Sequence, residues 1–221
     1  AVDDKWSEKH LATDVIVLAV KPQTMQSALT PLLSLPPQNA VFISIAAGLS
    51  VKKLIKLLPT KDSKIIRCMP NTPAMIGEGI SALFADSTVS RQHREITQEV
   101  MSAVGETFWV ESEREIDLVT AVSGSGPAYF FLLIEALTEA GTERGLSPET
   151  AASLALQTAA GACSLARSSL QSPSELRKKV TSPAGTTERA VEVLEQGGLR
   201  DLVSRAVNAA YCRSVEISKG K

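Results

Sequence analysis

Ser123-Gly124-Ser125-Gly126-Pro127-Ala128-Tyr129 divides this chain into two unlike halves. Before it, short β-branched runs alternate with amphipathic segments and proline turns; after it, almost everything has helical periodicity. Two glycines and a proline among small hydroxyl residues make a tight, low-bulk entry to a long apolar helix, with Pro127 well placed as a first helical residue. A phosphate loop, a nucleophile site and a packing joint all suit such a stretch. It lacks dinucleotide-loop and P-loop spacing and follows a helix rather than a strand, which excludes the first. A nucleophilic serine needs a histidine base, and the two histidines, His10 and His93, fall in charged segments read as exposed. A joint remains.

Upstream, Asp14-Val15-Ile16-Val17-Leu18-Ala19-Val20 is an apolar run bounded by polar residues, the mark of a strand buried on both faces. Val41 to Ile45 and Lys64 to Met69 repeat the pattern. Gly79 to Ala85 is a weaker strand, and Thr107 to Val110 reads as an edge strand. Helices are expected over 24–34, from a Ser50 cap to Leu58, and from a Ser90 cap to about Val104. This is the grammar of βαβ units and a mostly parallel sheet, with ligands beyond the carboxyl ends of the strands. Downstream, helices are expected over 117–122, 128–144, 148–168, up to Lys179, from the Thr186 turn to Glu195, and 199–217. The fold class is therefore α/β followed by all-α.

A chain of 221 residues holds one or two domains. Aromatics are only 4%, so small aliphatic side chains must fill the core, which suits close-packed helices. A net charge of -1 gives no field for nucleic acid. Cys68, Cys163 and Cys212 are odd in number and lack metal-ligand spacing, which points to free thiols, no metal and a reducing, cytoplasmic setting. No apolar run reaches the roughly 20 residues that span a bilayer, so no membrane is expected. The polar start carries no signal peptide. It also lacks Met, and the chain is expected to be truncated at its N-terminus.

Each candidate site has two readings. Lys21-Pro22 is a strand-ending turn with a solvated lysine, or a fixed cation beside an anionic ligand. Met69-Pro70-Asn71-Thr72-Pro73 is a proline-stiffened turn that presents Asn71 and Thr72 to the crevice, or an Asx-type turn satisfying its own backbone. Thr181 to Thr187 lacks bulk and leads into a helix N-terminus. It is an anion site favoured by the helix dipole, or an ordinary cap of about 1 kcal/mol. The acidic residues read as solvated faces, with no carboxylate pair singled out.

Together these motifs resemble those of the pyrroline-5-carboxylate reductases. The matching pieces are Ala19-Val20-Lys21-Pro22, Ala46-Ala47-Gly48, Arg67 to Pro73, Ser123 to Tyr129, and Val180 to Thr187, in the family's order and spacing across nearly the whole chain. The resemblance implies NAD(P)H-dependent reduction of 1-pyrroline-5-carboxylate to L-proline, the last step of proline biosynthesis. It implies a partial Rossmann-type parallel sheet domain, residues 1–112, then a helical dimerisation and substrate-binding domain, 113–221. NADP(H), or NAD(H), would lie against Ala19, Val20, Lys21, Pro22, Ala46, Ala47, Gly48, Met69, Asn71, Thr72 and Pro73. Substrate would meet Ser125, Gly126, Ala184, Gly185, Thr186 and Thr187. Thr187 would bond the ring nitrogen and, itself or through a water, deliver the proton. The assembly would be a homodimer or a decamer of five dimers.

Two departures stand out. The Gly-rich dinucleotide loop and the first strand, helix and next strand are missing by this comparison. Ala184 stands where the family usually has Gly, so Ala184 is expected not to need a positive φ. The competing readings are another sheet-plus-helical-bundle dehydrogenase, of β-hydroxyacid type, and a non-catalytic dimerising or metabolite-binding module.

Overall fold

The run at Val15-Ile16-Val17-Leu18 forms the first strand, β1 (Val15–Leu18), in a computed structural model that describes residues 6–219. Four more strands follow: β2 (Val41–Ser44), β3 (Lys64–Met69), β4 (Gly79–Ala85) and β5 (Gly105–Trp109). They form one sheet in the order β1-β2-β3-β4-β5. β1, β2 and β3 are parallel, with Leu18 beside Ser44 and Ser44 beside Arg67. β4 turns back antiparallel to β3, and β5 runs parallel to β4 at the far edge. The sheet is thus mostly parallel with one reversal, which the sequence pattern did not reveal.

Helices α1 (Met25–Ser34) and α2 (Val51–Ile55) cover one face. Met25, Leu29 and Leu54 meet Phe42 and Ile65 in a core there. On the other face α3 (Arg91–Ser102) sends Met101 among Val41, Ile43, Ile66 and Leu83. Serine caps set the helix starts: the Lys53 N–H donates to Ser50 Oγ, and the His93 N–H to Ser90 Oγ. α2 stops at Ile55, short of Leu58. The N–H groups of Leu57 and Leu58 turn back three residues, to the carbonyls of Leu54 and Ile55, because Pro59 disfavours further helix.

The Ser123–Tyr129 stretch is not an interruption. α4 (Glu113–Val119) passes through a π-helical turn, Thr120–Gly124, into α5 (Gly126–Glu143). The Ser125 N–H donates to the Thr120 carbonyl at 2.8 Å, five residues back. Pro127 has no N–H for the carbonyl four residues before it, and the widened turn accommodates the ladder there. Pro127 accordingly lies inside the helix, one residue past its start. The result is 31 helical residues, Glu113–Glu143, long and apolar enough by length and composition to cross a membrane, where no such run was expected.

The described residues up to Pro127, together with those from Val207 onward, form one compact unit; Ala128–Ala206 form the other. α4 belongs to the sheet-bearing unit, with Ile116 and Asp117 buried. The second unit holds most of α5, then α6 (Pro148–Ser168), α7 (Pro173–Lys179), α8 (Thr186–Gln196) and the start of α9 (Leu199–Lys219). Ser147 and Ser172 cap α6 and α7, each followed by proline. The Glu195 carboxylate accepts from Arg200 and Arg177, joining α8 to α9 and α7. Hydrogen bonds from Arg200 hold its pKa below the usual carboxylate value.

Arg67 is buried at 4% exposure, and its Nη1 donates to Glu113 Oε1 at 3.1 Å. Truncating Glu113 to Ala strands that guanidinium, and because the carboxylate is 31% exposed the expected loss is at the low end for such pairs, about 3 kcal/mol. Urea unfolding checks this: Glu113→Ala should show a clearly lower midpoint with an unchanged slope.

Candidate active site

The parallel run of β1, β2 and β3 sets their carboxyl ends on one sheet edge. That edge carries Ala19 to Pro22, Ala46 to Gly48 and Met69 to Pro73, so the three expected turns are brought together. Lys21 is exposed and precedes a 3-10 turn, Pro22–Thr24; its carbonyl accepts from the Thr24 N–H and hydroxyl. Ala46 and Gly48 are buried and Ala47 half-buried. Gly48 has φ +73°, a left-handed conformation that glycine adopts without penalty.

Asn71 does not close an Asx-type turn on its own segment; its side chain reaches across to β4. Its Oδ1 accepts from the Ile80 N–H at 3.0 Å, tying the turn to the start of β4. That bond uses the oxygen and leaves the amide NH2 as its donor group. Thr72 and Pro73 begin a 3-10 turn, Thr72–Ile76, closed by Gly77 at φ +76°. A groove of about 760 Å³ lies alongside α2, lined by Val51, Lys52, Ile55, Lys56, Phe84 and Glu113 among others. None of the residues of the three turns after β1, β2 and β3 lines it.

The π-turn reaches the same edge at Gly124. A Cβ at Gly124 would fall 2.5 Å from Met69 Cε, so the π-turn rests against the end of β3. Ser125 is half-buried and Gly126 buried.

Ala184, Gly185, Thr186 and Thr187 lie in the other unit, at the N-terminus of α8. Ala184 has φ +56°, the one positive φ outside glycine among the described residues. The expectation for this residue is therefore wrong. The loop must reverse sharply so that the Gly185 N–H reaches the Ser182 carbonyl at 3.0 Å, and the backbone at 184 adopts the glycine-type conformation despite its methyl. Within the chain, the Ala184 N–H donates to Glu188 Oε2 at 2.7 Å. Gly185 and Ala184 are thus engaged, and the orphan N–H groups at the helix start are those of Thr186, Thr187 and Glu188. Both threonines are exposed.

Not all acids are on solvated faces. Asp117 is buried, and its Oδ1 accepts from Ser214 Oγ at 2.6 Å and Ser218 Oγ at 3.3 Å. Glu113 accepts from Arg67 and from the Val51 N–H at 2.7 Å. The missed signal is Arg67 itself, a charge inside an apolar strand that needs a buried partner. His10 and His93 are half-buried rather than exposed; His10 stacks on Trp6 and His93 lies at the start of α3. No group of metal ligands occurs among the described residues.

Comparison with known proteins places the chain in a family. The pyrroline-5-carboxylate reductase dimerisation model matches residues 113–217. The pyrroline-5-carboxylate reductase of Pseudomonas aeruginosa is 49% identical over 209 residues, 93% of this chain and 75% of that protein. This chain belongs to the pyrroline-5-carboxylate reductase family. The Coxiella burnetii reductase structure matches with a TM-score of 0.88 at 44% identity, over 95% of this chain and 77% of that one. The Plasmodium falciparum reductase, solved with NADP bound, matches at 0.82 and 34% identity, over 93% and 77%. That likeness does not favour a β-hydroxyacid dehydrogenase or a non-catalytic module.

Two outcomes test the local physics. A left-handed conformation costs alanine about 1–2 kcal/mol, and the greater unfolded-state entropy of glycine offsets roughly 0.4–1 of that. Ala184→Gly should therefore raise stability by about 0.5–1 kcal/mol in a denaturant titration. Burial pushes the Cys68 thiol from 9.0 up to about 12, with the Ser81 hydrogen bond acting in the opposite direction. Stability from that protonated thiol is present below about pH 9 and is lost as pH rises toward 12. At pH 8, iodoacetamide should leave Cys68 unmodified in the native protein and label it in urea, read by peptide mass mapping.

Proposed function

We infer that this protein reduces 1-pyrroline-5-carboxylate to L-proline with NADPH or NADH, the last step of proline biosynthesis. The observation that carries the reading is a family likeness over nearly the whole chain, coupled to three parallel strand ends on one edge. The residues fit a nicotinamide cofactor. Ala19, Ala46, Ala47 and Gly48 keep the edge free of bulk, Lys21 offers an exposed cation, and Asn71 keeps an amide donor. Val20, Pro22, Met69, Thr72 and Pro73 complete that side. When bound, the cofactor supplies the hydride for the C=N carbon.

The chain's own residues do the rest. The Thr186 and Thr187 N–H groups at the start of α8 hold the substrate carboxylate, with Ala184 and Gly185 shaping the loop. The Glu188 carboxylate on Ala184 supports that chemistry. Ser125 and Gly126 form a wall of the pocket. Thr187 hydrogen-bonds the ring nitrogen and, directly or through a water, delivers the proton that completes the secondary amine. In this reading residues 1–112 bind the dinucleotide, and 113–221 dimerise and hold substrate.

The protein acts as a homodimer, with a decamer of five dimers as the larger assembly, in the cytoplasm. Phe130, Phe131, Leu133 and Leu137 on α5 are each at least half exposed in the single chain, and a second copy covers them. That occupant, rather than lipid, accounts for the apolar helix.

With the full-length protein, pyrroline-5-carboxylate should drive NADPH oxidation and yield L-proline. Thr187→Ala should lower kcat by about 10²-fold or more, the effect of removing a placed proton donor. Unchanged kcat and KM would remove that role. Sedimentation velocity should give a dimer or larger, and a stable monomer would overturn the assembly.

A further inference from the structure

We propose that α4 and the end of α9 clamp the turn after β2, and that Asp117 and Ile217 are positioning residues for the cofactor-facing backbone at Ala46–Gly48. The proposal rests on reading that sheet edge as the nicotinamide cleft. It adds two residues far from that edge in sequence to its machinery.

Ile217 touches the turn directly. A Cβ on Gly48 would run into Ile217 Cγ2, so the side chain fills the space a larger residue would need. Glycine is required there twice, by its φ of +73° and by this contact. One residue on, Ser218 offers its carbonyl to Lys53 Nζ on α2. From the other side the Glu113 carboxylate accepts from the Val51 N–H at the start of α2. Segment 48–53 is therefore gripped by α9 and α4 together.

Asp117 joins the two grips. It sits one turn after Glu113 on α4, is 8% exposed, and accepts from both Ser214 and Ser218 on α9. Burying a carboxylate is unfavourable unless its hydrogen bonds are made, and an apolar pair of the same shape would serve stability as well. The polar contact adds a fixed register between the helices, which sets where Ile217 meets Gly48. A cleft wall made of backbone must be held within about half an ångström of its working position. These contacts supply that constraint at the β2 turn. None of them reaches the α8 loop residues assigned to substrate.

The test uses the full-length protein and nicotinamide fluorescence titrations alongside steady-state kinetics. Ile217→Ala and Asp117→Ala should each raise the Kd and KM for NADPH about 10-fold, while KM for pyrroline-5-carboxylate stays within about two-fold. Asp117→Asn keeps an acceptor oxygen and should restore near-parental cofactor binding. Ile217→Val, which removes one methyl, should shift Kd less in the same direction. Gly48→Ala should weaken cofactor binding less in the Ile217→Ala background than in the parent. If these variants bind NADPH as the parent does, or if both KM values move together, the clamp is wrong while the reductase reading stands. If the parent binds no nicotinamide cofactor, the cleft reading falls and the clamp with it.

Discussion

The sheet-bearing unit depends on one carboxylate. Glu113 Oε1 accepts from the buried Arg67 guanidinium on β3 and from the Val51 N–H that starts α2. It therefore ties a central strand, the first turn of α2 and the first turn of α4 at a single point. A pair of this kind gives little net stability over an apolar replacement, because desolvation offsets most of the attraction. Its consequence is positional. With the start of α4 fixed on β3, the helix runs on so that Gly124 meets Met69 at the strand end. Small residues at the π-turn can then lie against the end of β3 without displacing it.

Much of this architecture was legible because local signals agreed. Lys64 to Met69 is a strand as read, since an apolar run between polar flanks has no competing period. The serine caps before α2 and α3 were visible because capping chemistry is local. What escaped reading was decided at a distance. The reversal of β4 depends on the short turn after β3, where Asn71 bonds to Ile80, and no periodicity encodes strand direction. The continuity of α4 into α5 through Gly124 and Gly126 runs against the propensity of both glycines. It reflects the close approach to Met69, which only folded geometry provides.

The candidate site divides along the same line. The three strand-end turns follow from the rule that ligands meet the carboxyl ends of parallel strands. Their juxtaposition needs only the parallel order of β1 to β3. The α8 loop was legible as a helix N-terminus, but its backbone was not. Alanine at 184 argued for ordinary φ, yet the hydrogen bond from Gly185 to Ser182 imposes +56°. Glu113 and Asp117 look like exposed acids four residues apart on a helix. Their burial follows from Arg67 and from Ser214 and Ser218, which lie far away in sequence.

The composition has a last consequence. With few aromatics, the helical unit relies on small and branched aliphatic side chains, and among its described residues the buried ones are Ala151 and Ala155. Phe131, Leu132, Leu156 and Val193 are all more than half exposed. Covering each side chain of this size is worth about 1.5–3 kcal/mol, so a few such contacts match the whole stability of an ordinary domain. Association is therefore a condition of this unit's stability rather than an addition to it. α5 begins, and α9 ends, in the sheet-bearing unit, beside Gly124 and Gly48 respectively. The helices that need a partner are thus continuous with the segments that contact the sheet edge, and assembly and the order of that edge share the same two elements.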